Sequence, residues 1–193
     1  KYKADTSLRQ KMLDGDIDGG CAYCIKREAN GVNRREHHSR LFKENYESFT
    51  ANSLDIGHLE LRLGNFCNLK CTMCGPYASS QWSAEAKKYQ DKFSKFNIGY
   101  LKSDYDWIND IKNKTFIKNA LANCISAYFG GGEPFINPFI DDFIKQIRTD
   151  AELSFSTNGT KLPDSTLALL QDRPNLKINI SIDGIGSHND YIR

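Results

Sequence analysis

Three cysteines, Cys67, Cys71 and Cys74, share one short loop directly behind the alternating run HLELRL (58–63). Leu59, Leu61 and Leu63 recur at period two, the mark of a strand with one buried face. A strand that runs into three soft ligands constrains the fold, because other elements must meet that loop to form a site. Three thiolates also leave one place open, since a closed tetrahedral metal site takes four donors. The missing donor must come from elsewhere in the chain or from outside it.

From His58 onward the pattern is strand, loop and helix, repeated. CISAYFG (124–130) reads as a short buried strand, AELSFSTNG (151–159) as a third and LKINISIDG (176–184) as a fourth. In the fourth, Leu176, Ile178, Ile180 and Ile182 fall on one side and are expected to be buried, with Ser181 and Asp183 facing the other way. Helical composition marks 76–93, 104–121 and 164–172. Pro138 opens a further helix over 138–149, where Phe139, Ile140, Phe143, Ile144 and Ile147 make one apolar face. Strands separated by helices predict βαβ units, hence an α/β fold with a parallel sheet or barrel.

Residues 1–52 differ in character and are expected to form a small N-terminal helical segment ahead of a core spanning 53–193. TSLRQKMLDG (6–15) predicts a short helix with Thr6 or Ser7 as cap and Gly15 as stop. After CAYCIKREANG (21–31), the polar stretch 32–49 reads as a solvated helix and TANSLD (50–55) as a linker.

Lys and Arg number 26 against 24 Asp and Glu. So balanced a charge gives no field for nucleic acid or an anionic membrane, and neither is expected as a partner. No apolar run approaches the roughly 18–20 residues of a membrane span. The start, KYKADTSLRQ, has no apolar core of a signal peptide. Five of the six cysteines cluster as Cys21/Cys24 and Cys67/Cys71/Cys74, with Cys124 alone in an apolar run. Tight grouping points to metal or redox work in a reducing compartment, and so to the cytoplasm.

The cysteines follow the first strand, GGGEP (130–134) the second, STNGT (156–160) ends the third and SIDG (181–184) ends the fourth. In parallel α/β architectures ligands bind at the carboxyl ends of the strands, so four features converge on one rim. Three thiolates can hold three irons of a [4Fe–4S] cluster, leaving one iron for an exogenous molecule. A structural zinc site completed by Cys21 and Cys24 or by a histidine is the alternative. Gly131 and Gly132 let backbone approach a ligand, and Glu133 can accept hydrogen bonds from a cationic amine. Equally, these residues could form a plain turn and the first acid of a helix. Ser181 and Asp183 are placed to bond a ribose hydroxyl, and Asn158-Gly159 suits a turn with positive φ.

On these motifs the chain resembles the radical S-adenosylmethionine (radical SAM) superfamily, especially members with SPASM or twitch auxiliary-cluster domains. CNLKCTMC (67–74) is similar to that family's CxxxCxxC loop, GGEP (131–134) to its methionine-amine motif, and STNGT and SIDG to its third- and fourth-strand elements. The resemblance implies a TIM-like (βα) barrel, of which about four units are present; the family core has six. It implies that Cys67, Cys71 and Cys74 hold a [4Fe–4S] cluster whose fourth iron is chelated by S-adenosylmethionine. It assigns Met73, Gly131, Gly132, Glu133, Ser156, Asn158, Ser181 and Asp183 to cofactor binding. Met73 stands where the family commonly has an aromatic residue; its backbone can still meet the adenine and its thioether can pack on a ring. The implied activity is reductive cleavage of the cofactor to methionine and a 5′-deoxyadenosyl radical that abstracts a substrate hydrogen, an oxidoreductase chemistry. A flavodoxin or ferredoxin would supply the electron, and a peptide is the substrate class most in keeping with auxiliary-cluster members. A non-catalytic zinc- or iron–sulfur-binding module is the alternative function.

Cys21 and Cys24 resemble the cysteine-bearing regions beside twitch-type enzymes, which implies ligation of a second cluster; zinc or an inert reduced pair are the other readings. Cys124 is expected to pack in the second strand, His37 and His38 to be solvated, and His188 to lie in a loop.

Overall fold

Among the described residues, four parallel strands form a sheet in sequence order: β1 (His58–Arg62), β2 (Ser126–Gly130), β3 (Glu152–Thr157) and β4 (Leu176–Ile180). This computed structural model describes residues 10–12, 14–16, 22–32, 36, 39–40, 56–93, 108 and 115–193. The chain divides into two compact units, Lys1–Asp55 and Ile56–Arg193. In the first, α1 (Ala22–Ala29) is an exposed helix whose Arg27 lies over the Tyr23 ring, 5.8 Å from its centroid. The helix expected over 6–15 and the one over 32–49 lie largely outside the described residues, as do His37 and His38.

Among the described residues, the second unit holds the sheet and six helices: α2 (Ser80–Lys88), α3 (Gln90–Phe93), α4 (Thr115–Asn123), α5 (Ile140–Gln146), α6 (Asp164–Leu170) and α7 (Ser187–Ile192). Parallel pairing sets Leu61 beside Phe129, Phe129 beside Phe155 and Phe155 beside Ile178. Because side chains alternate along a strand, that row shares one face. Leu61, Leu63, Ala127, Phe129, Leu153 and Phe155 join Phe135, Phe143, Ile144 and Leu170 in one buried core. Phe129 and Phe155 stack with centroids 5.1 Å apart, and Phe135 meets Phe155 at 5.0 Å. Each such pair adds about 0.5–1.5 kcal/mol beyond its burial. The opposite face carries Glu60, Tyr128, Ser154 and Lys177 in one row.

Local chemistry sets the helix ends. The helix expected over 76–93 starts only at Ser80, because residues 76–78 form a turn closed by Ala78 N–H to the Gly75 carbonyl (2.9 Å). Ser79 then caps it through Trp82 N–H, and Tyr89 interrupts it with φ −114 and ψ 31. Pro138 does not open its helix; α5 begins at Ile140, after a 3₁₀ turn over Pro134–Ile136. Arg173 closes the other end, donating from Nη2 to the Ile144 and Ile147 carbonyls at 2.8 and 2.9 Å. Of the helix expected over 104–121, the part from Thr115 is present as α4, and 104–107 and 109–114 lie outside the described residues. His188, read as a loop residue, stands in α7.

The buried isoleucine row of β4 does not form. Ile178, Ile180 and Ile182 are 40, 58 and 72% exposed. They sit on the core-side face, yet among the described residues β4 pairs only with β3 and borders the sheet. Burial of a strand face needs a covering layer as well as the right period, and α6 packs on α5.

Candidate functional site

The loop after β1 is the centre of the rim, and its shape is fixed mainly by small polar side chains. Asn65 is buried; its Nδ2 donates to the Pro76 carbonyl (2.8 Å), and its own carbonyl accepts from Ser80 N–H (2.6 Å). Ser79 Oγ donates to the Leu69 carbonyl at 2.6 Å, and Ser80 Oγ to the Cys67 carbonyl at 3.1 Å. The Trp82 indole N–H reaches the Cys71 carbonyl at 2.9 Å. These bonds satisfy backbone groups that an irregular loop would otherwise leave unpaired. They tie the Cys67–Cys71 part of the loop to the start of α2, while Asn65 holds its far end at Pro76.

Within that frame Cys67 and Cys71 are buried and Cys74 is half-buried. Burial pushes the Cys67 thiol above its ordinary pKa, and neighbouring Cys71 adds to the rise. Burial likewise raises Cys74, with Cys71 and Cys67 both contributing. Burial and the neighbouring thiols thus oppose the ionisation of Cys67 and Cys74. A cationic iron centre relieves that conflict, because its positive charge favours all three thiolates together. Among the described residues no group of three or more His, Cys, Asp or Glu side chains converges as on a single metal ion. A cluster needs no such convergence, since it takes one thiolate at each of several irons. Three thiolates on one loop are the donor type that an iron–sulfur cluster takes.

The glycine loop after β2 packs against the cysteine loop. Gly132 has φ +56, and a Cβ there would stand 2.4 Å from the Phe66 carbonyl oxygen. No L side chain fits, so glycine is required for this approach. Glu133 N–H then donates to the same Phe66 carbonyl at 2.6 Å. At Gly131, with φ +80, a Cβ would press on Arg62 at 3.1 Å.

Glu133 is wholly buried. Its Oε1 accepts from Thr157 Oγ1 (2.7 Å) and from Phe135 N–H (3.2 Å), and its Oε2 accepts from Asn158 N–H (2.6 Å). The carboxylate joins the tips of β2 and β3 and caps the following 3₁₀ turn. With three bonds accepted, it keeps one of its roughly four acceptor sites.

The remaining sequence-derived residues are placed unevenly. Ser156 is half-buried on the polar side of β3, and Met73 is 56% exposed at the crest of the cysteine loop. Asn158 and Ser181 line one cavity of about 510 Å³ with Leu69, Thr160, Asp190 and Arg193, a volume suited to a small molecule. Asp183 pairs with Arg193 at 2.6 Å. Cys24 is an exposed free thiol on α1; Cys21 lies outside the described residues. Sequence reasoning missed Asn65, Thr157, Trp82 and Asn137, whose Nδ2 donates to the Leu63 carbonyl at 2.6 Å. Their type carries little signal, because each role depends on a partner far along the chain.

A family model described as Radical SAM superfamily matches residues 61–193. Among solved structures, Streptococcus suis SuiB bound to precursor peptide SuiA is similar at 13% identity, covering 97% of this chain and 39% of that one, with a TM-score of 0.42. SuiB bound to S-adenosylmethionine gives 13% identity, the same coverage of 97% and 39%, and a TM-score of 0.39. The chain thus spans about two fifths of the length of these proteins. No curated protein matches it.

Proposed function

The chain belongs to the radical SAM superfamily, and from that premise we propose that its rim binds a [4Fe–4S] cluster through Cys67, Cys71 and Cys74, with S-adenosylmethionine beside it. When bound, the two supply a one-electron reductive cleavage of the cofactor to methionine and a 5′-deoxyadenosyl radical, which takes a hydrogen atom from a substrate. The observation that carries this reading is that the loop bearing two buried thiols and one half-buried thiol meets Glu133 at one set of strand tips. The cysteine loop holds the cluster, and its bonds to α2 keep the three sulfurs from dispersing. Gly131 and Gly132 let the second strand tip close on that loop. Glu133 offers its remaining acceptor site to the cofactor ammonium, and Ser156, Asn158, Ser181 and Asp183 face its polar groups. Met73 packs its thioether toward the adenine.

The finer reading follows the auxiliary-cluster branch of the family. Cys24, with Cys21, contributes to a second cluster; a flavodoxin or ferredoxin delivers the electron; the substrate is a peptide; and the protein works in the cytoplasm. No helix among the described residues is long and apolar enough to cross a membrane.

Anaerobic reconstitution followed by dithionite and S-adenosylmethionine tests the reading. Stoichiometric iron and sulfide with formation of 5′-deoxyadenosine are expected. Zinc without sulfide, and no cofactor cleavage, would favour a metal-binding module instead. Changing Cys21 and Cys24 together to Ala should spare S-adenosylmethionine binding and the rim cluster. Loss of the rim cluster in that variant would mean that the two cysteine groups share one site.

A further inference from the structure

Asn158 sits between the two halves of the rim. Its backbone N–H holds Glu133 Oε2, while its side chain reaches across to the cysteine loop. Thr160 N–H, which can only donate, lies 2.9 Å from Asn158 Oδ1. The oxygen of the Asn158 amide must therefore face Thr160, and its NH₂ must face the other way. There one N–H points to Asn68 Oδ1 at 3.0 Å, and Nδ2 stands 3.9 Å from Cys67 Sγ. Asn68 Nδ2 in turn donates to Thr160 Oγ1 at 2.8 Å, and Thr160 Oγ1 donates to Asn158 Oδ1 at 2.6 Å.

The three side chains thus form a closed ring in which each donates to the next. Such a ring has one donor sense, and its members polarise one another in that sense. One hydrogen of the Asn158 amide is left over, and it is directed at the sulfur of Cys67. Leu69 N–H is a second donor to that sulfur, at 3.5 Å.

We propose that Asn158 is a positioning and tuning residue for the cluster: held by Asn68 and Thr160, its amide donates to the Cys67 sulfur and raises the cluster's reduction potential. Donors to a cluster's sulfurs favour the reduced form, because they stabilise the added negative charge. This role is separate from any contact of Asn158 with the cofactor. It rests on the cluster reading above and concerns the cluster before cofactor is added.

The test is a redox titration of the reconstituted chain, followed by EPR without S-adenosylmethionine, together with iron and sulfide analysis. Asn158→Ala should move the midpoint to a more negative potential at full iron content, so that the reduced fraction at the parent's midpoint falls severalfold. Asn68→Ala and Thr160→Val, which release the ring but keep the donor, should each shift it less, in the same direction. A loop that needs Asn158 only for stability would lose iron, and the midpoint of the remaining cluster would stay put. An unchanged or raised midpoint in fully loaded Asn158→Ala overturns the proposal. If that variant takes up no cluster, unchanged midpoints in both ring variants overturn it. A parent chain that takes up no iron would remove the cluster reading itself, and this proposal with it.

Discussion

The carboxyl tips of β1, β2 and β3 and the tip of β4 belong to one sheet but are held by different means. At the first three, the glycine loop lies on the cysteine loop, Glu133 bonds to β3, and Asn65 and Asn137 close on backbone carbonyls. At the fourth, Ser181 N–H bonds the Thr157 carbonyl at 2.8 Å, but Ile180 and Ile182 are largely exposed, and Asp183 has a partly exposed ion pair with Arg193. The difference teaches that the side proposed for the cluster is built into the packing of this unit. The side proposed for the ribose depends on weak, accessible contacts.

The sharpest contrast is between two neighbours in register, Phe155 and Ile178. Phe155 is fully buried between two aromatic rings, so Phe155→Ala should destabilise the unit by about 3–5 kcal/mol. Ile178→Ala, at a 40% exposed position, should cost less than about 1 kcal/mol. Urea unfolding of both variants measures the gap. Similar costs would show that β4 is as firmly covered as β3.

A control comes from Cys124, just ahead of β2 and away from the rim. Burial raises its thiol to about 11 from 9.0. The unfolded chain then sheds this proton first, so stability is intact below pH 9 and falls as pH rises toward 11, by about 2–3 kcal/mol in all. Cys124→Ala should flatten that alkaline loss in a denaturant series at several pH values; an unchanged slope would contradict the assignment.

Glu133→Gln keeps the size of the side chain but removes its charge. Affinity of the cluster-loaded chain for S-adenosylmethionine should fall about ten- to a hundredfold, the worth of one charge-assisted bond of about 1.5–3 kcal/mol. Calorimetry gives the affinity, and thermal unfolding shows whether the bonds from Thr157 and Asn158 survive. Unchanged affinity would restrict Glu133 to joining the two strand tips. Asp183→Asn should matter least, with a stability change of about 0–1 kcal/mol, as for other accessible ion pairs. A loss of affinity as large as that of Glu133→Gln would erase the contrast between the two sides of the rim.

The four strands, the parallel sheet and the convergence of four motifs were legible because period two and βα alternation are local signals. Leu59, Leu61 and Leu63 read correctly as one face of a strand. The exposure of Ile178 and Ile180 was not legible, because a period places a side chain on a face and says nothing of what covers it. Likewise the glycines at 131 and 132 announced a close approach, yet their neighbours, Arg62 and Gly64 for the first and the Phe66 backbone for the second, lie sixty-odd residues upstream. Glu133 read as a ligand for a cationic amine; that Thr157 and Asn158 already hold it follows from the register of β2 and β3. Short polar residues such as Asn65, Asn68 and Thr160 gave no signal, since their bonds span distant loops.

The most direct test of the central claim is low-temperature EPR of the reduced, reconstituted chain beside the variant with Cys67, Cys71 and Cys74 all changed to Ala. The parent should show a [4Fe–4S] signal that changes shape when S-adenosylmethionine is added, and the variant should show none. An unaltered signal in the variant, or a parent with zinc and no such signal, would contradict a cluster held by these three cysteines.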